Sequence, residues 1–145
     1  MKKNIYSIKK RFPSERKSIQ EVEPILEDMR RHIPIPDDKY YGIVISLTEA
    51  VNNAIIHGNR IDNDKFVDFE IKGTKTEITF IISDQGTGFD PDAVPDPRSE
   101  ENLLKDHGRG VFLMRSLMDS VHYDISGMGT TLTMIYKLDK KTSSK

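Results

Sequence analysis

The chain has no cysteine among its 145 residues, which excludes disulfides, thiolate metal sites and a cysteine nucleophile. It has no real excess of either charge, because 22 Lys and Arg stand against 23 Asp and Glu. Lys and Arg are dense only at the two ends, so an electrostatic grip on nucleic acid is not expected. Long apolar runs are missing as well, and nothing approaches the length of a membrane span. The opening "MKKNIYSIKKRF" has lysines with no apolar stretch behind them and is not expected to be a secretory signal. There is no G-x-x-x-x-G-K-[ST] phosphate loop, no internal repeat and no linker that would divide the chain. These absences leave the expectation of one mixed α/β domain over residues 1–140, cytoplasmic, with a disordered tail at 141–145.

Periodicity supplies the elements. "NIYSIKKRF" alternates imperfectly and suits a first strand with Ile5, and Ile8 or Phe12, turned inward. Ser14 is placed to cap a helix over about 15–32, where Ile19, Val22, Leu26, Met29 and Ile33 form an apolar stripe and Pro24 forces a kink or a restart. After "IPIPDD", Asp37 or Asp38 is expected to cap a second helix over about 38–58, with Gly58 stopping it in the C′ position. "KFVDFEIKG" and "TEITFIISD" alternate strictly and predict an antiparallel pair joined at "GTK". Residues 89–107 hold three prolines and many charges and are expected to form a long lid or binding loop. A helix over 109–119 and strands in "SVHYDIS" and "TTLTMIYKL", joined by "GMG", complete the pattern.

Four stretches carry residues suited to chemistry. In the second helix Glu49 and Asn53 are four apart and share a face, flanked by Asn52, with His57 one turn on. A half-buried carboxylate beside a side-chain amide suits a general base or a hard cation, although surface amides on an exposed helix are the commoner case. "SDQGTGFD" ends a strand with Asp84, which can accept from an exocyclic amine, and places Gly86 and Gly88 where backbone must come close to a ligand. A strand ending in an Asp turn is also common. "HGRGVF" sets Gly108, Arg109 and Gly110 at a helix start, where free N–H groups and the dipole favour phosphate. It is not a dinucleotide fingerprint, since Leu113 occupies the third glycine position. "GMGTT" puts Thr130 and Thr131 at the entrance to the last strand, where their hydroxyls can donate and accept.

Taken in order, "EAVNNAIIHG", "DQGTGF", "GRGVFLM" and "GTT" resemble the N, G1, G2 and G3 boxes of the GHKL (histidine kinase-like) ATPase superfamily. Within it the chain is most similar, over about residues 10–138, to bacterial anti-sigma factors that are also serine-protein kinases. "VPDPRSEENLLKDHGRGVFLMRSLMD" is especially like the lid and G2 segment of that group. The resemblance implies an α+β fold, a two-layer α/β sandwich of the Bergerat ATP-binding type, with a mostly antiparallel mixed sheet and helices on one face. It implies ATP and Mg²⁺ as cofactors, with Glu49 as general base or hydroxyl-orienting group and Asn53 as the Mg²⁺ ligand. Asp84 would bind adenine directly and Thr130 through water. Gly86 and Gly88 would line the adenine and lid hinge, while Gly108, Arg109 and Gly110 would lie near the phosphates. The implied partners are an anti-anti-sigma antagonist protein and a sigma factor, engaged by a homodimer, with Arg16, Arg30 and Arg31 as candidate contacts. Asn52, His57 and Gln85 receive no role.

Overall fold

The computed structural model describes residues 3–62, 64–86, 109–126 and 129–138. The expected lid at 89–107, Gly88, Gly108 and the tail lie outside the described residues.

Strands β1 (Tyr6–Pro13), β2 (Phe66–Gly73), β3 (Glu77–Ser83), β4 (Ser120–Ser126) and β5 (Gly129–Lys137) form one sheet in the order β1-β2-β3-β5-β4. Every pairing among the described strands is antiparallel. Helices α1 (Val22–His32), α2 (Asp37–Asn53) and α3 (Arg109–Leu117) form the second layer. The fold is therefore α+β. Alternate strand residues Val67, Phe69, Ile71, Ile78, Phe80, Ile82, Leu132 and Met134 share one core with Leu26, Met29, Ile43, Leu47, Val51 and Met114 from the helices. Each such side chain contributes about 1.5–3 kcal/mol when fully buried, so the two-layer arrangement follows from the periods of 2 and 3.6 in the sequence.

Several local details depart from the sequence-based expectations. In β1 the inward residues are Tyr6 and Phe12, whereas Ile5 is exposed. Pairing Tyr6 with Gly73 and Phe12 with Val67 fixes the phase, and one residue of phase moves a side chain to the other face. Ser14 does not cap a helix. It is fully buried and donates to the Lys65 carbonyl at 2.9 Å, while a 3₁₀ segment, Arg16–Glu21, leads into α1. Pro24 lies in the first turn of α1, where its missing N–H costs nothing, so the helix restarts there instead of kinking. Neither Asp37 nor Asp38 caps α2. Pro36 holds the N-cap position and both acids lie in the first turn, where they suit the helix dipole.

Asp37 pairs with Arg30, which also donates twice to the Ile35 carbonyl and stacks its guanidinium 4.4 Å from the Tyr40 ring centre. Arg30 thus locks the α1–α2 turn and is not a free surface contact. The β2–β3 turn falls at Thr74–Thr76, one residue later than "GTK", because the Thr74 hydroxyl oxygen accepts the N–H groups of Thr76 and Glu77 at 3.2 Å.

Candidate functional site

The end of α2 is where the fold builds a site. After Asn53 the helix widens into a π turn, Ala54–Gly58, with the Asn59 N–H reaching the Ala54 carbonyl at 2.8 Å. Such widenings rotate the residues downstream relative to a continuous α-helix and recur at functional sites. Here the turn sets Gly58 directly against the end of β3. A Cβ on Gly58 would lie 2.3 Å from Asp84 Oδ2, and one on Gly86 would lie 2.1 Å from the Gly58 carbonyl oxygen. Gly58 is therefore required for close approach, and it does not occupy the left-handed C′ position expected from the sequence. Among the described glycines, positive φ belongs to Gly129, at +137°, where a Cβ would meet the Asp84 carbonyl oxygen at 2.2 Å.

Asp84 is held by three hydrogen bonds. Its N–H donates to the Thr130 carbonyl at 2.9 Å, and its Oδ1 accepts the N–H groups of Gly86 at 3.0 Å and Thr130 at 3.3 Å. With Oδ1 so occupied, the carboxylate has a fixed orientation and Oδ2 keeps acceptor capacity for a donor on a ligand. Burial pushes the carboxyl above its ordinary range, while the two N–H groups and the Lys65 charge pull it partly back. A half-buried, oriented acceptor at a strand end, packed about with glycines, suits recognition of a flat amine-bearing base. The structure thus brings Asp84, Gly86 and Thr130 together as the sequence suggested. Thr131 is different: its hydroxyl pairs with that of Ser83 at 3.0 Å, on the sheet face away from the helices.

Glu49 and Asn53 lie on α2 one turn apart, both half-buried, with Asn53 in the turn just before the π segment that carries Gly58. Tyr123 of β4 pairs with Leu132 and so faces the helical layer. Its hydroxyl is raised above the ordinary value mainly by burial, with Arg115 lowering it and Glu49 raising it further. Glu49 of α2 and Arg115 of α3 thus both act electrostatically on Tyr123. Helix α3 is described from Arg109 onward, so the helix start expected at Gly108–Gly110 falls at the edge of the described residues. Among the described residues no group of three or more His, Asp or Glu could hold a metal by itself. Mg²⁺ does not require such a group, because it takes few protein ligands and completes its shell with water and phosphate oxygens, and a single half-buried amide oxygen such as that of Asn53 is chemically suited to it.

A model of the histidine kinase-like ATPase domain matches residues 12–136. The chain belongs to that family. Among histidine kinase-like relatives, an anti-sigma F factor of Clostridium perfringens is 28% identical over 124 residues, covering 83% of this chain and 81% of the relative. A serine-protein kinase RsbW of Bacillus licheniformis is 31% identical over 113 residues, covering 72% of this chain and 68% of the relative. The fold matches part of the structure of the RsbU and RsbW domains of Rv1364c from Mycobacterium tuberculosis, at a TM-score of 0.67 and 16% identity. That match covers 92% of this chain and 32% of the longer one. The histidine kinase domain of the Erythrobacter litoralis EL346 blue-light activated kinase matches at a TM-score of 0.58 and 15% identity, over 90% of this chain and 64% of that one.

The histidine kinase-like framework also gives residues contacts that the sequence motifs did not foretell. Gly58 and Gly129 are contact points of Asp84, yet in sequence they look like a helix stop and half of a turn. Asn59 is fully buried and bonded to Gln85, a residue given no role, and no local pattern marks it. Tyr123 feels the charges of both Arg115 and Glu49, through the β4–β5 register and the packing of α3 on α2, neither of which is written in local spacing.

Proposed function

We propose that this protein is an anti-sigma regulatory factor with ATP-dependent serine kinase activity towards an anti-anti-sigma antagonist protein. The observation that carries the reading is the Asp84 carboxylate, oriented by two backbone N–H groups and walled by Gly58 and Gly86, on a histidine kinase-like framework. Relatives whose names denote an anti-sigma factor and a serine-protein kinase support the finer assignment.

In this reading Asp84 accepts from the exocyclic amine of adenine, with Gly86 beneath the base and Thr130 beside Asp84. Asn53 offers its side-chain oxygen to Mg²⁺. Gly88, Gly108, Arg109 and Gly110 belong to the lid hinge and the phosphate end. Mg·ATP, when bound, supplies the transferable phosphoryl group and the cation that neutralises its oxygens. Glu49 accepts the proton of the incoming serine hydroxyl as its oxygen bonds to the γ-phosphorus and the bond to the β-phosphate oxygen breaks. ADP and a phosphoserine result. The protein acts as a homodimer in the cytoplasm and holds a sigma factor when the antagonist is phosphorylated. No described helix is long and apolar enough to cross a membrane.

The test is transfer of labelled γ-phosphate from Mg·ATP to a serine of the cognate antagonist. Stoichiometric phosphoserine is expected. A protein that binds Mg·ATP and captures a partner but transfers nothing would establish the second reading, a non-catalytic nucleotide-dependent sequestering module.

A further inference from the structure

Asn59, the residue that ends the π turn, is fully buried and uses both ends of its carboxamide. Its Oδ1 accepts the Gln85 N–H at 2.7 Å. Its Nδ2 donates to the Ser14 hydroxyl oxygen at 2.7 Å and to the Phe66 carbonyl at 3.0 Å. Ser14 passes its own hydrogen to the Lys65 carbonyl, and the Gln85 side chain closes the loop by accepting the Phe66 N–H. One amide thereby joins the end of β1, the start of β2 and the turn after β3.

The chain takes an unfavourable route to achieve this. Directly after Asn59, Arg60 and Ile61 both adopt φ of 55°, a conformation that a β-branched residue seldom takes. The Ile61 N–H then closes on the Ile55 carbonyl at 2.8 Å, which fixes the bend. A strained exit from a helix, kept for the sake of one buried side chain, points to a role for that side chain.

We infer that Asn59 is a positioning residue of the nucleotide pocket, holding the Asp84–Gly86 turn in its base-accepting shape through the Gln85 backbone. This rests on the nucleotide reading proposed above. Gln85 is the link between the carboxylate that would accept from the base and the Gly86 N–H that orients that carboxylate. Without the Asn59 oxygen the Gln85 N–H loses its acceptor, and that peptide must turn to find another. Turning it draws the Gly86 N–H away from Asp84 Oδ1 and frees the carboxylate to rotate.

Ser14→Ala removes a partner of Nδ2 but leaves the Oδ1 bond to Gln85. Asn59→Ala removes both. Calorimetric titration with Mg·ATP, well below each variant's melting temperature, separates positioning from mere stability. Asn59→Ala is expected to bind at least tenfold more weakly than wild type. Ser14→Ala is expected to melt lower yet bind within twofold of wild type. Wild-type affinity in Asn59→Ala, or an equal loss in both variants, overturns the inference.

Amide exchange in the wild-type chain supplies a measurement that does not depend on a variant folding. The Gln85 N–H is expected to exchange as slowly as amides inside β3, and exchange at loop rates would overturn the clamp. If wild type itself fails to bind Mg·ATP, the nucleotide reading falls and takes the positioning role with it. The exchange result then still shows whether the clamp exists.

Discussion

Replacing Glu49 by alanine is expected to reduce phosphate transfer to the antagonist at least a hundredfold while leaving Mg·ATP affinity within a fewfold of wild type. General-base contributions run at about 10²–10⁴-fold, and Glu49 is the carboxylate that α2 presents one turn before the proposed Mg²⁺ ligand Asn53. Its surroundings suit the task. The side chain is half-buried, and its charge is felt at the Tyr123 hydroxyl, so the carboxylate is partly desolvated yet still open to an incoming hydroxyl. Alanine is a better helix former than glutamate and removes no core packing, so the variant should melt near wild type. Transfer is followed by phosphoserine formation under single-turnover conditions, and Glu49→Gln should show the same loss. Activity within tenfold of wild type would remove Glu49 from the role of base.

The second large effect is expected at Gly58. An added methyl group would stand 2.3 Å from Asp84 Oδ2 and 2.4 Å from its Cγ. The carboxylate has little freedom to swing aside, because two backbone N–H groups hold its Oδ1. Gly58→Ala must therefore displace Asp84 or open the π turn. Overpacking of this kind costs about 1–3 kcal/mol of stability, and losing the oriented acceptor should weaken Mg·ATP binding at least tenfold. Gly42→Ala is the matched control within α2. Its Cβ would meet the movable end of Leu117 at 3.1 Å, far from Asp84, and nucleotide affinity should be unchanged. Equal affinities in the two variants would mean that close approach at Gly58 does not shape the pocket.

The elements that were legible in the sequence are those whose cause is local. Val22, Leu26 and Met29 recur at helical spacing and are buried, and β2 and β3 alternate in the structure as they do in the sequence. The grouping of Asp84, Gly86 and Thr130 was also legible, but only through the order of four motifs that are individually weak. What escaped depends on partners far along the chain. Ser14 looks like a cap because a serine before a helix usually is one, yet its hydroxyl serves Lys65 and Asn59, 51 and 45 positions away. Ile5 and Tyr6 are equally plausible inward residues until the β1–β2 register chooses between them. Gly58 reads as a stop signal because its steric reason, Asp84, belongs to another element. The π turn has no sequence signature of its own; it leads into Asn59, whose partner Gln85 belongs to another element.

The central claim is that Asp84 is the acceptor of a nucleotide pocket. It is tested most directly by calorimetric titration of Mg·ATP into wild type and Asp84→Asn across a range of pH. Binding requires the ionised carboxylate, and burial raises the folded-state pKa above its ordinary value. Wild-type affinity should therefore be full above that raised pKa and fall as pH drops through it, earlier than for an ordinary carboxylate. The sign for folding is opposite. A raised folded pKa means that the native state binds more protons than the unfolded one, so this group's contribution to stability declines as pH rises through the same window. Asp84→Asn should bind Mg·ATP at least tenfold more weakly near neutral pH and lack the acidic step that belongs to Asp84, while the nucleotide's own titration remains in both proteins. No binding to wild type, or equal affinity and equal pH dependence in the two proteins, would contradict the account.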